Sequence, residues 1–442
     1  MSTQTKFWNY ENKIVAVFFC CVGFVFFDRL IINYLMPFIQ ADLQLDNSDI
    51  GLLAAALGLT WAISSVIGGR ISDRVPSKRL YLVVLMVVFS LASAFQGFVS
   101  SFVMLVVLRL VMGLFEGPII PVTQSVLAME SSPHRRGFNL GFTMNTANGL
   151  FGSILAPVVI VALALAFGWR TAFFFTVIPG LVLAFVVLRT MREPRPRVAG
   201  SQTSAAVIAE GVSGSMGTTA TDELAGATHA QAGPSKGNLG EVLRNRNVIV
   251  SILMFSGFMV YLISLQVFSP VFMTNVRGFS VGTMSLILSA FGLGTAVWGF
   301  VVPMISDRIG RKPTSLVFGL LSVLAPLSML VLHNPVPMAV AVFVFAAGMG
   351  VGGMAMSVIP AESVNPLYAG LAVGLPVGIG ELIGGVINPV VTGMLADQYG
   401  LWIALVISSL GALFATVCAL GLRETAPRKV GDTIRLMEAQ KA

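Results

Sequence analysis

Charge is what this chain has least of. Only 11% of its 442 residues are Asp, Glu, Lys or Arg, against about a quarter in a soluble globular protein, while 56% are hydrophobic. That balance excludes an ordinary water-soluble domain. Cysteine is sparse too, and Cys20, Cys21 and Cys418 all fall in apolar stretches, so no disulfide framework is implied and packing roles remain. The three histidines, His134, His229 and His333, lie in loops and build no metal cluster. No Walker-type glycine loop is present, which removes ATP as an apparent driving force. Nothing in the chain assembles a nucleophile or metal constellation for an enzyme, and neither cofactor nor metal is expected.

What is present is length of apolar sequence. Windows of about 20 such residues, enough to cross roughly 30 Å of hydrocarbon, recur twelve times, near 14–39, 49–71, 80–99, 103–128, 137–163, 169–189, 247–275, 281–304, 313–332, 336–358, 367–395 and 400–422. The predicted class is an all-α membrane protein of twelve transmembrane helices. The net charge of +7 reads as topology and not as nucleic-acid binding. Arg29 and Arg109 lie inside spans and Arg170 and Arg277 fall in loops on one side, whereas Arg74, Lys78, Arg79, Arg135, Arg136, Arg308, Arg311 and Lys312 crowd the short loops of the other. The positive-inside rule makes that second side cytoplasmic and puts both termini there. The first span is too long for a signal peptide and lacks a convincing cleavage site, so it is expected to stay as a helix.

The pattern divides the chain into a cytoplasmic N-terminus (1–13), a six-helix bundle (14–189), a linker (190–246), a second six-helix bundle (247–422) and a tail (423–442). Residues 201–237 are rich in Ser, Gly, Ala and Thr and cannot bury enough apolar surface to offset chain entropy, so a disordered tether is expected there. The stretch 238–247 reads as an amphipathic lead-in to the seventh span. The halves echo each other. Ser72, Asp73 and Arg74 follow the second span as Ser306, Asp307 and Arg308 follow the eighth; Gly168 and Trp169 match Gly400 and Trp402; Arg192 and Glu193 match Arg423 and Glu424. Repeated halves around a midplane site are the architecture of secondary transporters.

Four charges sit where charge is expensive: Asp28 and Arg29 in the first span, Arg109 and Glu116 in the fourth. Each costs roughly 2.5 to 3.5 kcal/mol at the bilayer centre even on lenient scales, so pairing, water or ligand must compensate it. Seven residues make nearly two helical turns, which puts Arg109 and Glu116 on one face, about 10 Å apart along the axis. Gly113 and Gly117 between and beside them allow a neighbouring helix to approach. A structural ion pair would explain the fourth span alone, but Asp28 and Arg29 repeat the same pairing of types. Asn145 and Asn148 share a face of the fifth span and can hydrogen-bond a substrate or glue helices together. Tyr261, Ser264 and Gln266 are the polar groups of the seventh span, with Gln266 the preferred ligand contact. Glu381, at mid-span in the eleventh, is functional by default, either as a further proton site or as a neutral acid donating to substrate.

The loop Gly69-x-x-x-Asp73-Arg74-x-Pro76-x-Lys78-Arg79 resembles the loop signature of the major facilitator superfamily, and its second copy carries Pro303 in place of Gly69. Asp28-Arg29 together with Arg109-x6-Glu116 resembles the anion:cation symporter family, which includes galactonate, glucarate and hexuronate carriers, sialin and vesicular glutamate transporters. The resemblance covers nearly the whole chain outside the linker. It implies two pseudo-symmetric six-helix bundles and proton-coupled import of a small organic anion, a sugar acid or aromatic acid, by alternating access. It also implies a monomer in the lipid bilayer of a bacterial inner membrane, with protons as coupling ion. Carried over residue by residue, Arg29 and Arg109 would clamp the substrate carboxylate and Asp28 and Glu116 would take the protons. Gly69, Asp73, Arg74, Asp307 and Arg308 would gate the motion. Three positions depart from the family pattern. Glu381 stands where a neutral polar residue is expected, Phe26 stands where an aromatic hydroxyl is common, and Trp61 stands where Tyr is common. The last two lean toward a less hydroxylated anion. No basic residue occurs in the seventh span, which counts against sugar-phosphate exchange. Efflux of amphipathic compounds and a nutrient sensor without flux are the alternatives.

Overall fold

The computed structural model describes residues 9–132, 135–193, 239–365, 368–426 and 429; the expected disordered tether and most of the tail lie outside them. Among these residues twelve helices are long and apolar enough to cross a membrane: α1 (Tyr10–Leu43), α2 (Asn47–Ser72), α3 (Lys78–Phe98), α4 (Phe102–Glu130), α5 (Phe138–Phe167), α6 (Trp169–Thr190), α7 (Arg246–Val276), α8 (Val281–Ile309), α9 (Arg311–Val331), α10 (Pro335–Glu362), α11 (Ala369–Tyr399) and α12 (Trp402–Ala419). Most outrun the apolar windows by a few residues, because polar caps such as Asn9, Ser77, Ser101 and Ser280 lie outside the apolar run and accept hydrogen bonds from first-turn N–H groups. A short helix, Leu239–Arg244, leads into α7, within the expected 238–247 segment.

Four spans contain π-helical stretches that hydrophobic periodicity does not reveal: Phe142–Thr146 and Asn148–Leu155 in α5, Phe272–Val276 in α7, Met354–Val358 in α10 and Glu381–Ile387 in α11. Proline accounts for several of them. Pro157, Pro360 and Pro389 each sit just beyond a π-stretch. A proline has no N–H to donate and its ring crowds the carbonyl one turn back, and a wider turn relieves both problems.

Within the first bundle α2 packs on α4, α3 on α6 and α1 on α5; within the second α7 packs on α12 and α11, α9 on α12 and α8 on α10. The repeated Arg-Glu pairs at the bundle ends do the same job twice. Glu193 accepts from the Lys78 N–H (3.1 Å) and from Ser77 Oγ at the start of α3. Glu424 accepts from the N–H groups of Arg311 (2.6 Å) and Lys312 (3.3 Å) at the start of α9. Each carboxylate satisfies donors that a helix start leaves free and complements its dipole.

The halves meet at the end remote from the termini, through α2 with α11 and α5 with α8. The seam is lined by glycine. A Cβ on Gly51 would fall 2.1 Å from the Pro389 carbonyl oxygen, one on Gly292 2.1 Å from that of Ser153, and one on Gly393 2.4 Å from that of Asn47. Polar contacts add to it: Ser285 Oγ donates to Pro157 O (2.9 Å), and Asn275 Nδ2 to Gln40 Oε1 (3.0 Å). Asp397 at the end of α11 accepts from the N–H groups of Asn47 (2.8 Å) and Ser48 (3.0 Å) and from Ser48 Oγ, all at the start of α2. Toward the termini the halves part. Cβ atoms on Gly299, Gly353, Gly374 and Gly378 would meet nothing within 4 Å. The apolar cores agree, since Leu30 to Ile39 of α1 share one cluster with the second bundle, whereas Ile14 to Val25 belong to a cluster of first-bundle residues. The cleft between the bundles therefore opens toward the termini.

Candidate substrate and proton site

The charges of α1, α4 and α11 gather at mid-depth, in two layers. Glycine brings the helices close enough. On α4, a Cβ at Gly113 would lie 2.6 Å from Leu57 O and one at Gly117 2.6 Å from Trp61 O, so α4 lies directly against the backbone of α2. Ser64 Oγ of α2 donates to Gly113 O at 2.9 Å. On α11, Cβ atoms at Gly380 and Gly384 would strike Phe255 and Met259 of α7.

Arg29 forms the cleft layer. Its side chain is 16% exposed, its guanidinium sits 4.6 Å from the centre of the Trp61 ring, and Nη2 donates to Glu381 Oε1 at 2.9 Å. Stacking of that kind contributes about 0.5 to 2 kcal/mol and fixes the plane of the fork. Glu381 opens the π-stretch of α11, and its carboxylate lies along Gly385, where a Cβ would stand 3.0 Å from Oε1. The ion pair joins the two halves of the protein.

Asp28, Arg109 and Glu116 form the inner layer, all at most 2% exposed. Asp28 Oδ1 accepts from Ser93 Oγ of α3 at 2.7 Å, and Ser93 in turn lies 3.2 Å from Thr176 Oγ1 of α6. Among the described residues Arg109 makes only long contacts, Nη2 to Arg29 O at 3.5 Å and Nη1 to Met112 Sδ at 3.6 Å. Asp28 Oδ2, both Glu116 carboxyl oxygens and Arg109 Nε have no hydrogen-bond partner among the described residues. Nor does either acid make an ion pair among those residues. An ionised carboxylate in such surroundings is costly, and a bound proton removes the cost.

The other expected residues are placed as follows. Trp61 stacks on Arg29, and its indole N–H has no partner among the described residues. Gln266 is half-buried on α7. Tyr261 is 1% exposed, packed on Phe258 and close to Gly348 of α10, inside the second bundle and not on the cleft. Asn148 lies in the second π-stretch of α5, half-buried, with Oδ1 3.0 Å from where a Gly152 Cβ would be. Asn145 lies in the first π-stretch, and its side chain, like that of Asp73, is outside the described set. A Cβ on Gly69 would lie 4.0 Å from that of Pro121, and Arg74 and Arg308 are exposed. Asp307 pairs with Arg311 at 2.5 Å, and Arg311 also holds Glu362 at 2.7 Å. Ser93, Thr176 and Tyr34, whose hydroxyl donates to Gly152 O at 3.1 Å, carry no mark in the sequence, because lone hydroxyls in apolar helices usually bond their own backbone.

The Major Facilitator Superfamily model matches residues 18–376 and again 272–438. The chain belongs to the major facilitator superfamily. This facilitator is similar to the hexuronate transporter of Bacillus subtilis, 28% identical over 68% of this chain and 67% of that one. It is also similar to the probable galactarate/D-glucarate transporter GudP of Escherichia coli, 26% identical over 98% and 95%. Both names agree with the resemblance to the anion:cation symporters. The fold is shared with a bacterial homologue of the human lysosomal transporter Spinster, solved inward-facing and unoccupied, at a TM-score of 0.73 and 16% identity over 94% of this chain and 98% of that one. This facilitator is a multi-pass membrane transporter with two six-helix bundles around a central cleft.

Proposed function

We propose that the protein imports a small organic anion, a carboxylate such as a sugar acid or aromatic acid, together with protons and by alternating access. It would act as a monomer in a bacterial inner membrane with both termini in the cytoplasm, with no cofactor and no catalytic step. The observation that carries the reading is the layering at mid-depth: a stacked guanidinium, Arg29, lines the cleft, and two buried carboxyls that make no ion pair among the described residues, Asp28 and Glu116, lie behind it. Arg29 suits a carboxylate because its planar fork matches two oxygens. Arg109, buried behind it, supports the same anion through its field. Protonation of Asp28 and Glu116 leaves the positive field of Arg109 uncompensated and attracts the anion; loss of the protons on the cytoplasmic side restores the acids and expels it. Crossing the membrane with the site neutralised avoids moving unpaired charge through a low-dielectric core. Two protons with one monoanion would carry one net positive charge inward, gaining about 2.3 kcal/mol per 100 mV of inside-negative potential.

The test is uptake into proteoliposomes of D-galacturonate, D-glucarate and benzoate, with a pH gradient and a potential imposed separately. Accumulation that follows both supports the reading. Uptake of a bound acid that ignores both gradients sinks the coupling scheme, and binding without counterflow makes the protein a sensor.

A further inference from the structure

We infer that Glu381 is a tethered competitor of the substrate, a carboxylate supplied by the second bundle that holds the Arg29 guanidinium whenever the site is empty. The inference rests on the reading of Arg29 as the carboxylate-binding residue. Three observations carry it. The Glu381 carboxylate makes with Arg29 a 2.9 Å charge-assisted contact of the kind a substrate carboxylate would make. It is the ion pair that joins the bundles at mid-depth, since the other described pairs lie toward the helix ends. Its place is built, because Gly385 leaves the room that its carboxylate occupies, and Gly385 O also faces Gly58 of α2 across the seam.

Two carboxylates cannot both be bound tightly and charged on one monovalent guanidinium in a low-dielectric site. An arriving anion therefore displaces Glu381, and the displaced carboxylate takes a proton from the open side of the cleft. The charge balances at each stage. Empty, Arg29 faces the Glu381 anion; loaded, it faces the substrate anion while Glu381 is a neutral acid, free to donate its O–H to a substrate hydroxyl or carboxyl. Both forms that cross are neutral at this locus, and an Arg29 with neither anion is the form that cannot cross. The elements packed on this turn of α11 supply no competing charge at mid-depth. Those of α2 are Asp49 near one end and Arg70, Asp73 and Arg74 near the other; α7 has Arg246 at its start and Tyr261 turned into its own bundle; α1 offers Arg29, with Asp28 and the α4 pair Arg109 and Glu116 buried behind it. Glu381 thereby selects for ligands able to outbid an attached carboxylate, which means carboxylates and not neutral sugars.

The test compares purified full-length protein with its Glu381→Gln and Glu381→Asp variants, probed with D-galacturonate, D-glucarate and benzoate by calorimetry and by counterflow in proteoliposomes. A competitor that occupies Arg29 nine-tenths of the time weakens apparent affinity about tenfold, so Glu381→Gln is expected to bind its preferred acid roughly tenfold tighter. Its affinity should lose the share of the pH dependence that Glu381 supplies, and its accumulation under a pH gradient should fall below the parent's, with Asp28 and Glu116 still responding to the gradient. Glu381→Asp, one methylene short, should fall between, and it carries the test if the Gln variant does not fold. Affinity equal to or weaker than that of the parent, with the parent's pH profile intact in both variants, overturns the inference while leaving the Arg29 reading untouched. If instead Arg29→Ala binds as the parent does, or none of the three acids binds the parent, the reading of the site itself fails.

Discussion

Replacing Asp397 with Ala should tip the protein away from the conformation described above. The Asp397 carboxylate takes two backbone N–H groups and one hydroxyl at the start of α2, and it comes from α11 of the other bundle, so these bonds exist only while the remote end is closed. Loss of a capping carboxylate costs about 1 kcal/mol, and its favourable interaction with the helix dipole adds about 0.3 to 1 kcal/mol. The sum, about 1.3 to 2 kcal/mol, corresponds to roughly a ten- to thirtyfold shift in the equilibrium between the two orientations. Because the site is exposed, high salt should shrink the effect. The helix itself should survive, since Asp49 of α2 accepts from the Asp46 N–H at 3.2 Å without help from α11. Spin labels on cysteines replacing Phe167 and Val336, both exposed near the remote end of their bundles, and with the native cysteines removed, would read the separation by pulsed electron resonance. The variant should gain a population of longer distances, and Asp397→Asn, which keeps one acceptor, should gain less of it. An unchanged distance distribution in the Ala variant would refute the idea that this cap latches the remote end.

Two further outcomes follow from the site and the seam. Gly292→Val should block closure of α5 on α8, because a Cβ there would stand 2.1 Å from Ser153 O; the same labels should report a remote end held apart, and uptake should fall to background. Glu116→Gln should leave thermal stability within about 1 kcal/mol, since a neutral isostere replaces a fully buried group that makes no ion pair among the described residues, yet pH-driven accumulation measured in proteoliposomes should be lost.

Most of the framework was legible because lipid imposes a strong rule. A spanning helix must be apolar for a fixed length, and each of the twelve windows corresponds to one helix. The four charges inside the spans stood out for the same reason. What the sequence could not reveal depends on how one bundle sits against the other. Arg29 and Glu381 are separated by 352 positions, and nothing local to either names its partner. Asp397 reads as an ordinary polar residue at a helix end, and its role appears only once α11 reaches the start of α2. The spacing of Arg109 and Glu116 implied a shared face, which they have, but periodicity cannot say that the face is turned into the bundle, away from the cleft. The π-stretches escaped notice because nearly uniform apolar sequence has no phase to shift; the prolines beside them were the usable clue.

The glycine-lined seam separates two demands that a carrier must meet. Closure there combines main chain resting on main chain with polar side chains such as Asp397 at the remote end, so it asks nothing of the side chains that meet the cargo. Residues around Arg29 can drift toward a new acid without retuning the hinge, and the hinge can be inherited intact by descendants with unrelated diets. An inhibitor aimed at the seam would for that reason track shape and reach many such descendants, while one aimed at Arg29 would track chemistry and reach few.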